Sequence, residues 1–128
     1  MKRSAAHLIA AVTATIIAGC SNSAGVSCPD VATPGIRVMV IDSVTNVLAG
    51  RSSSIVAKSA TYTDSLSSTQ TAVSDGPYGL VYSRYATGTY TLTIRQSGYR
   101  DWSQSGIVVA KADVCSLQTV NVTAKLQK

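Results

Sequence analysis

From Thr89 to Arg95 the chain alternates without a break, with Tyr90, Leu92 and Ile94 on one side and Thr89, Thr91, Thr93 and Arg95 on the other. A period of two residues belongs to an extended strand, and one apolar face beside one polar face marks a sheet covered on a single side. Such a strand needs neighbours to pair its backbone groups and a second layer to cover its apolar side. No stretch past Pro34 places apolar residues at helical spacing, and β-branched residues and tyrosines dominate the apolar runs. The body of the chain is therefore predicted to be all-β.

The remaining strands are read from the same alternation and from turn residues. Gly35–Asp42 sets Ile36, Val38 and Val40 against Arg37, Met39 and Ile41, apolar enough on both faces to be central. Asp42-Ser43-Val44-Thr45-Asn46 follows with turn chemistry, since Asp and Asn side chains bond their own backbone. Ser53–Tyr62 is a more polar strand, expected near an edge. Residues 63–76 are rich in Ser and Thr and end in Asp75-Gly76-Pro77, which predicts the longest loop. Tyr78–Tyr85, Ile107–Ala110 and Gln118–Leu126 complete the set, with Gly98-Tyr99 closing the strand that ends at Arg95. Six or seven short strands divided by turn signals predict a single β-sandwich.

Several of these segments together resemble the carboxypeptidase regulatory-like family. They are Asp42 with its turn, Gly88-Thr89-Tyr90-Thr91-Leu92-Thr93-Ile94, then Gly98-Tyr99, and the closing Val120-Asn121-Val122-Thr123-Ala124-Lys125-Leu126. The resemblance covers residues 34–127 and departs from the family at the first turn, where Asn46-Val47 stands in place of a frequent Thr-Gly. It implies a transthyretin-like (prealbumin-like) Greek-key sandwich of about seven strands, and an accessory rather than catalytic role.

Ahead of that body, Met1-Lys2-Arg3 opens an apolar run over residues 5–18 that ends in Ile17-Ala18-Gly19-Cys20. A run of this length is too short for a stable membrane-spanning helix, which needs about 20 apolar residues, and has the form of a signal peptide. Ile17, Ala18, Gly19 and Cys20 resemble the lipobox of bacterial lipoproteins, in which the chain is cut before the cysteine and the cysteine is acylated. The competing reading is an ordinary secretory signal with a coincidental cysteine. The resemblance implies three parts: a signal peptide at 1–19, a lipidated N-terminus and linker arm at 20–33, and the sandwich at 34–127. It implies a lipid-anchored protein of the bacterial cell envelope. Ser21, where Asp would favour inner-membrane retention, points to the outer membrane.

Without residues 1–19 the chain keeps nine Lys/Arg against six Asp and no Glu, a net charge of +3. The basic residues are scattered, so no surface of the kind that tracks phosphates is expected and nucleic acid is excluded as a partner. Cys28 and Cys115 remain once Cys20 is assigned to the lipid. In an oxidising compartment a leftover pair forms a disulfide; two free thiols, or half of a metal site, is the alternative.

Chemistry is poorly provided for. The single histidine, His7, lies in the signal, and the six Asp mostly occupy predicted turns. No Asp-x-Asp spacing suggests calcium and no nucleophile elbow appears, so no catalytic residue, cofactor or metal is expected. Hydroxyisourate hydrolase, an enzyme among transthyretin-like proteins, relies on histidines and a Tyr-Arg-Gly-Ser terminus; this chain ends Lys125-Leu126-Gln127-Lys128. The leading expectation is a non-catalytic interaction or structural module with an unidentified protein or glycan partner. A second reading makes Tyr99 and Trp102 a stacking platform for a sugar ring. Against it, a chain with no Phe must fill its core with Tyr, Trp and aliphatics, and these two rings would then close one end of the sandwich. A hydrolase built on paired Asp residues ranks third. Tyr62, Tyr78, Tyr82 and Tyr85 are read first as strand residues.

Overall fold

A computed structural model describes residues 25–29 and 32–128. Seven strands form two sheets packed face to face, an all-β sandwich. They are β1 (Ile36–Asp42), β2 (Ser54–Lys58), β3 (Thr63–Leu66), β4 (Tyr78–Leu80), β5 (Gly88–Arg95), β6 (Trp102–Val109) and β7 (Val120–Leu126), with one short helix, α1 (Ser68–Thr71), after β3. One sheet has the order β4-β1-β7 and the other β3-β2-β5-β6. The first and last strands run parallel in full register from Ile36↔Val120 to Asp42↔Leu126; every other pairing is antiparallel.

The core lies between the sheets. Ile36, Val38 and Val40 of β1 and Val122, Ala124 and Leu126 of β7 face Ile55 and Ala57 of β2, Tyr90, Leu92 and Ile94 of β5, and Ile107 and Val109 of β6. The alternation read from β5 is the burial pattern observed. Tyr90 is the largest fully buried side chain and takes the place a Phe would otherwise fill; its hydroxyl donates to Ala86 O at 2.6 Å. A buried phenol needs such a partner.

Several boundaries differ from the sequence reading. The expected strand Ser53–Tyr62 stops at Lys58, because Ser59 and Tyr62 close a tight turn: Ser59 N donates to Tyr62 O and Tyr62 N to Ser59 Oγ. It lies one place in from the sheet edge, in keeping with its polar character, with β3 paired on its outer side. The expected loop 63–76 contains β3 and α1. β3 carries only one apolar residue, Leu66, so it lacks the alternation that reveals half-buried strands. α1 begins in a capping box, Ser67 Oγ accepting from Gln70 N while Gln70 Oε1 accepts from Ser67 N.

The expected strand Tyr78–Tyr85 ends at Leu80, where buried Val81 takes a positive φ of 63°. That conformation is uncommon for a β-branched residue. Val81 N donates to Asp64 Oδ2 at 2.6 Å and Val81 O accepts from Gly35 N, which ties β3 to the opposite sheet. Tyr82 and Tyr85 consequently fall in a loop rather than a strand. β6 starts at Trp102, not Ile107. After Trp102 its first half, Ser103-Gln104-Ser105, is polar on both faces, as an edge strand allows, and a bulge at Ser105-Gly106 opposite Thr91 resets its alternation. Gly106, at φ 73°, permits that bulge.

Candidate functional site

The parallel pairing of β1 and β7 gives the sandwich two distinct ends. At one lie the starts of β1, β5 and β7 and the finish of β6; at the other lie Asp42, Arg95, Trp102 and Leu126. The candidate site residues divide between them.

At the first end Cys28 and Cys115 form a disulfide, with Cα atoms 5.2 Å apart. The β6–β7 loop presents Cys115 through its own hydrogen bonds. Asp113 Oδ1 accepts from the backbone N–H groups of Cys115 and Ser116, and Asp113 Oδ2 from the Ser116 hydroxyl. The Ser116 hydroxyl and these N–H groups hold the Asp113 carboxyl below the usual range. Leu117 is buried beneath, and the Thr119 hydroxyl donates to Pro34 O at 2.7 Å, so the arm before β1 is sewn to this loop. Arg84 donates from Nη1 to Cys28 Sγ and from Nη2 to the Tyr85 hydroxyl oxygen, its guanidinium 4.8 Å from the centre of the Tyr85 ring. A cavity of about 110 Å³ beside the bridge is lined by Cys28, Tyr82, Arg84, Cys115 and Leu117. Gly79, having no side chain, leaves room for the Tyr82 ring to lie across it.

At the opposite end Asp42 terminates β1. Its Oδ1 accepts from the N–H groups of Val44 and Thr45 at 2.9 and 3.0 Å, the turn expected of Asp there. Its Oδ2 accepts from the Tyr99 hydroxyl at 3.0 Å and lies 3.8 Å from Lys128 Nζ, which also stands 5.7 Å from the Tyr99 ring centre. The Thr45 and Val44 N–H groups, then Tyr99 and Lys128, draw the Asp42 pKa down to about 2 against the opposing effect of its burial. The same bond raises the Tyr99 phenol. A shallow cleft of about 300 Å³ adjoins this group, bordered by Arg51 and Gln96. Gln96 donates to Arg51 O, and its buried Oε1 has no partner among the described residues.

Tyr99 and Trp102 line different clefts. Both are half-buried against the core; Tyr99 borders the Asp42 cleft, whereas Trp102 borders a separate hollow with Arg100, Asp101, Ser103 and Lys125. The described Asp side chains each have partners of their own. Asp64 serves Val81, Asp75 pairs with Arg51, and Asp101 with Arg95, apart from Asp42 and Asp113 in their turns. Among the described residues no three His, Cys, Asp or Glu gather as a metal site, and no helix is long and apolar enough to cross a membrane. Cys20 and Ile17, Ala18 and Gly19 lie outside the described residues. The Asp42–Tyr99–Lys128 group was invisible to sequence reasoning, since its members lie 57 and 86 positions from Asp42 and carry no joint motif. Compared with known proteins, the chain matches no family model and no curated protein.

Proposed function

We propose that the chain is a bacterial envelope lipoprotein, cut before Cys20 and acylated there, whose carboxypeptidase regulatory-like sandwich acts as a non-catalytic interaction or structural module. The observation that carries this reading is the Cys28–Cys115 bridge. A disulfide belongs to an oxidising compartment, the destination to which the segment ahead of Cys20 would deliver the chain. A seven-strand, two-sheet sandwich accords in class and strand number with the fold that the family resemblance implies. Three acyl chains, at about 0.8 kcal/mol per buried methylene, would make the anchor effectively permanent. Labelling growing cells with radioactive palmitate tests it: the natural chain takes up label and Cys20→Ser does not. Equal labelling of the two refutes the anchor.

The sugar-binding alternative draws on one observation, the half-covered Trp102 ring beside the polar groups of its hollow. A glycan array with the natural chain and Trp102→Ala decides it, provided the variant keeps its stability.

A further inference from the structure

Exposed large apolar side chains are few in the faces of the sandwich and gather at its ends. At the disulfide end stand Val26 (66% exposed), Tyr82 (47%), Tyr85 (72%) and Val114 (65%). They come from three separate segments held together there. Val26 is two residues from Cys28, Val114 is next to Cys115, and Tyr82 and Tyr85 flank Arg84, which reaches the bridge itself. We infer that this end of the sandwich rests on the lipid bilayer, with these four side chains seated at headgroup level.

The inference relies on the anchor at Cys20 and adds to it an orientation. Cys20 and Cys28 are eight residues apart, so even fully extended the chain between them spans at most about 28 Å. The bridge makes Cys28 the point where the leash meets the folded body; without it the leash would run on toward Gly35. Whatever the end around Cys28 presents is thereby held against the membrane at high effective concentration, so a contact too weak to bind a free domain suffices.

The chemistry presented suits that position. Tyrosine pairs an apolar ring with a polar tip and concentrates at membrane–water boundaries. Tyr85 additionally carries the Arg84 guanidinium against its ring and hydroxyl, a donor suited to lipid phosphate. Arg84 and Lys111 are offset in part by Asp113, so the attraction is apolar in the main and should persist in high salt. The opposite end exposes Val44, Val47, Leu48 and Val73, and its two aromatic rings, Tyr99 and Trp102, are half-buried against the core. β6 alone separates the two ends by roughly 23 Å at strand rise, which keeps that end clear of the bilayer.

The only tryptophan, Trp102, sits at the far end of β6 and serves as an internal reference. The acylated full-length mature protein is reconstituted into phosphatidylethanolamine–phosphatidylglycerol vesicles carrying a lipid nitroxide at shallow depth. Natural chain, Tyr85→Trp and Val114→Trp are compared, each checked for folding by its urea midpoint and for acylation by intact mass. The added tryptophans should emit at shorter wavelength and be quenched at least roughly twofold, while Trp102 in the natural chain is not, at low and at high salt. Acylated, folded variants quenched no more than the natural chain overturn the docking and leave the anchor standing. Quenching of Trp102 to the same degree overturns the orientation. Crosslinking of the chain to a second copy through this end, in place of quenching, refutes the bilayer as occupant. A mature chain without acyl mass refutes anchor and docking together.

Discussion

Replacing both Cys28 and Cys115 by Ser should destabilise the sandwich severely, and the magnitude follows from topology. The bridge joins residues 87 positions apart, almost the whole folded body. In the chain-entropy treatment, a closed loop of that size removes enough freedom from the unfolded chain to contribute about 4.5 kcal/mol. That is a large share of the 5–15 kcal/mol typical of a whole domain. For a body of about 100 residues the loss corresponds to a fall in Tm of upwards of about 20 °C. Urea denaturation of the natural and doubly substituted chains, with and without reductant, measures it. The double variant should match the reduced natural chain, and its dependence on urea should steepen, because an unfolded chain without the crosslink exposes more surface. A loss below about 1 kcal/mol with an unchanged slope would refute the reasoning, since the bridge would then constrain nothing in the unfolded chain.

Asp64→Ala removes the acceptor that holds Val81 N at positive φ and should cost about 1–3 kcal/mol by urea unfolding; a neutral result would mean that packing alone holds the turn. Tyr90→Phe strips the hydroxyl from Ala86 O inside the core and should cost about 1–2 kcal/mol, while an unchanged urea midpoint would show that carbonyl to be satisfied otherwise. Asp42, its pKa drawn down to about 2 from an unfolded value near 3.8, contributes stability that is complete above pH 5 and is lost as pH falls toward 2. Asp42→Asn should therefore be less stable than the natural chain at pH 6 and converge on it near pH 2; parallel pH profiles would remove Asp42 from the account.

Local pattern reached its limit where burial became one-sided in a different sense. β1, β5 and β7 were legible because their inner faces are apolar and their outer faces are wetted or lightly covered, which writes the period of two into the residues. β3 and the first half of β6 lie at sheet edges and each sets only one apolar residue, Leu66 or Trp102, against the core, too few to write an alternation. No residue alphabet marks such a strand. The capping box Ser67–Gln70 was present as a signature, but four helical residues with no apolar stripe gave nothing to attach it to.

Residue types and their spacing were sufficient for the class of fold and for the central strands, because each follows from local chemistry; the choice of Cys28 and Cys115 as partners rested on the lipobox resemblance that sets Cys20 aside. The meeting of Asp42, Tyr99 and Lys128, the placing of Tyr99 and Trp102 on different clefts and the gathering of Val26, Tyr82, Tyr85 and Val114 around the bridge were settled in three dimensions. They depend on which strand lies beside which, and above all on β1 and β7 running parallel. Pairing between distant segments is bought with loop-closure entropy and repaid by a shared core, a balance that belongs to the whole chain and to no stretch of it.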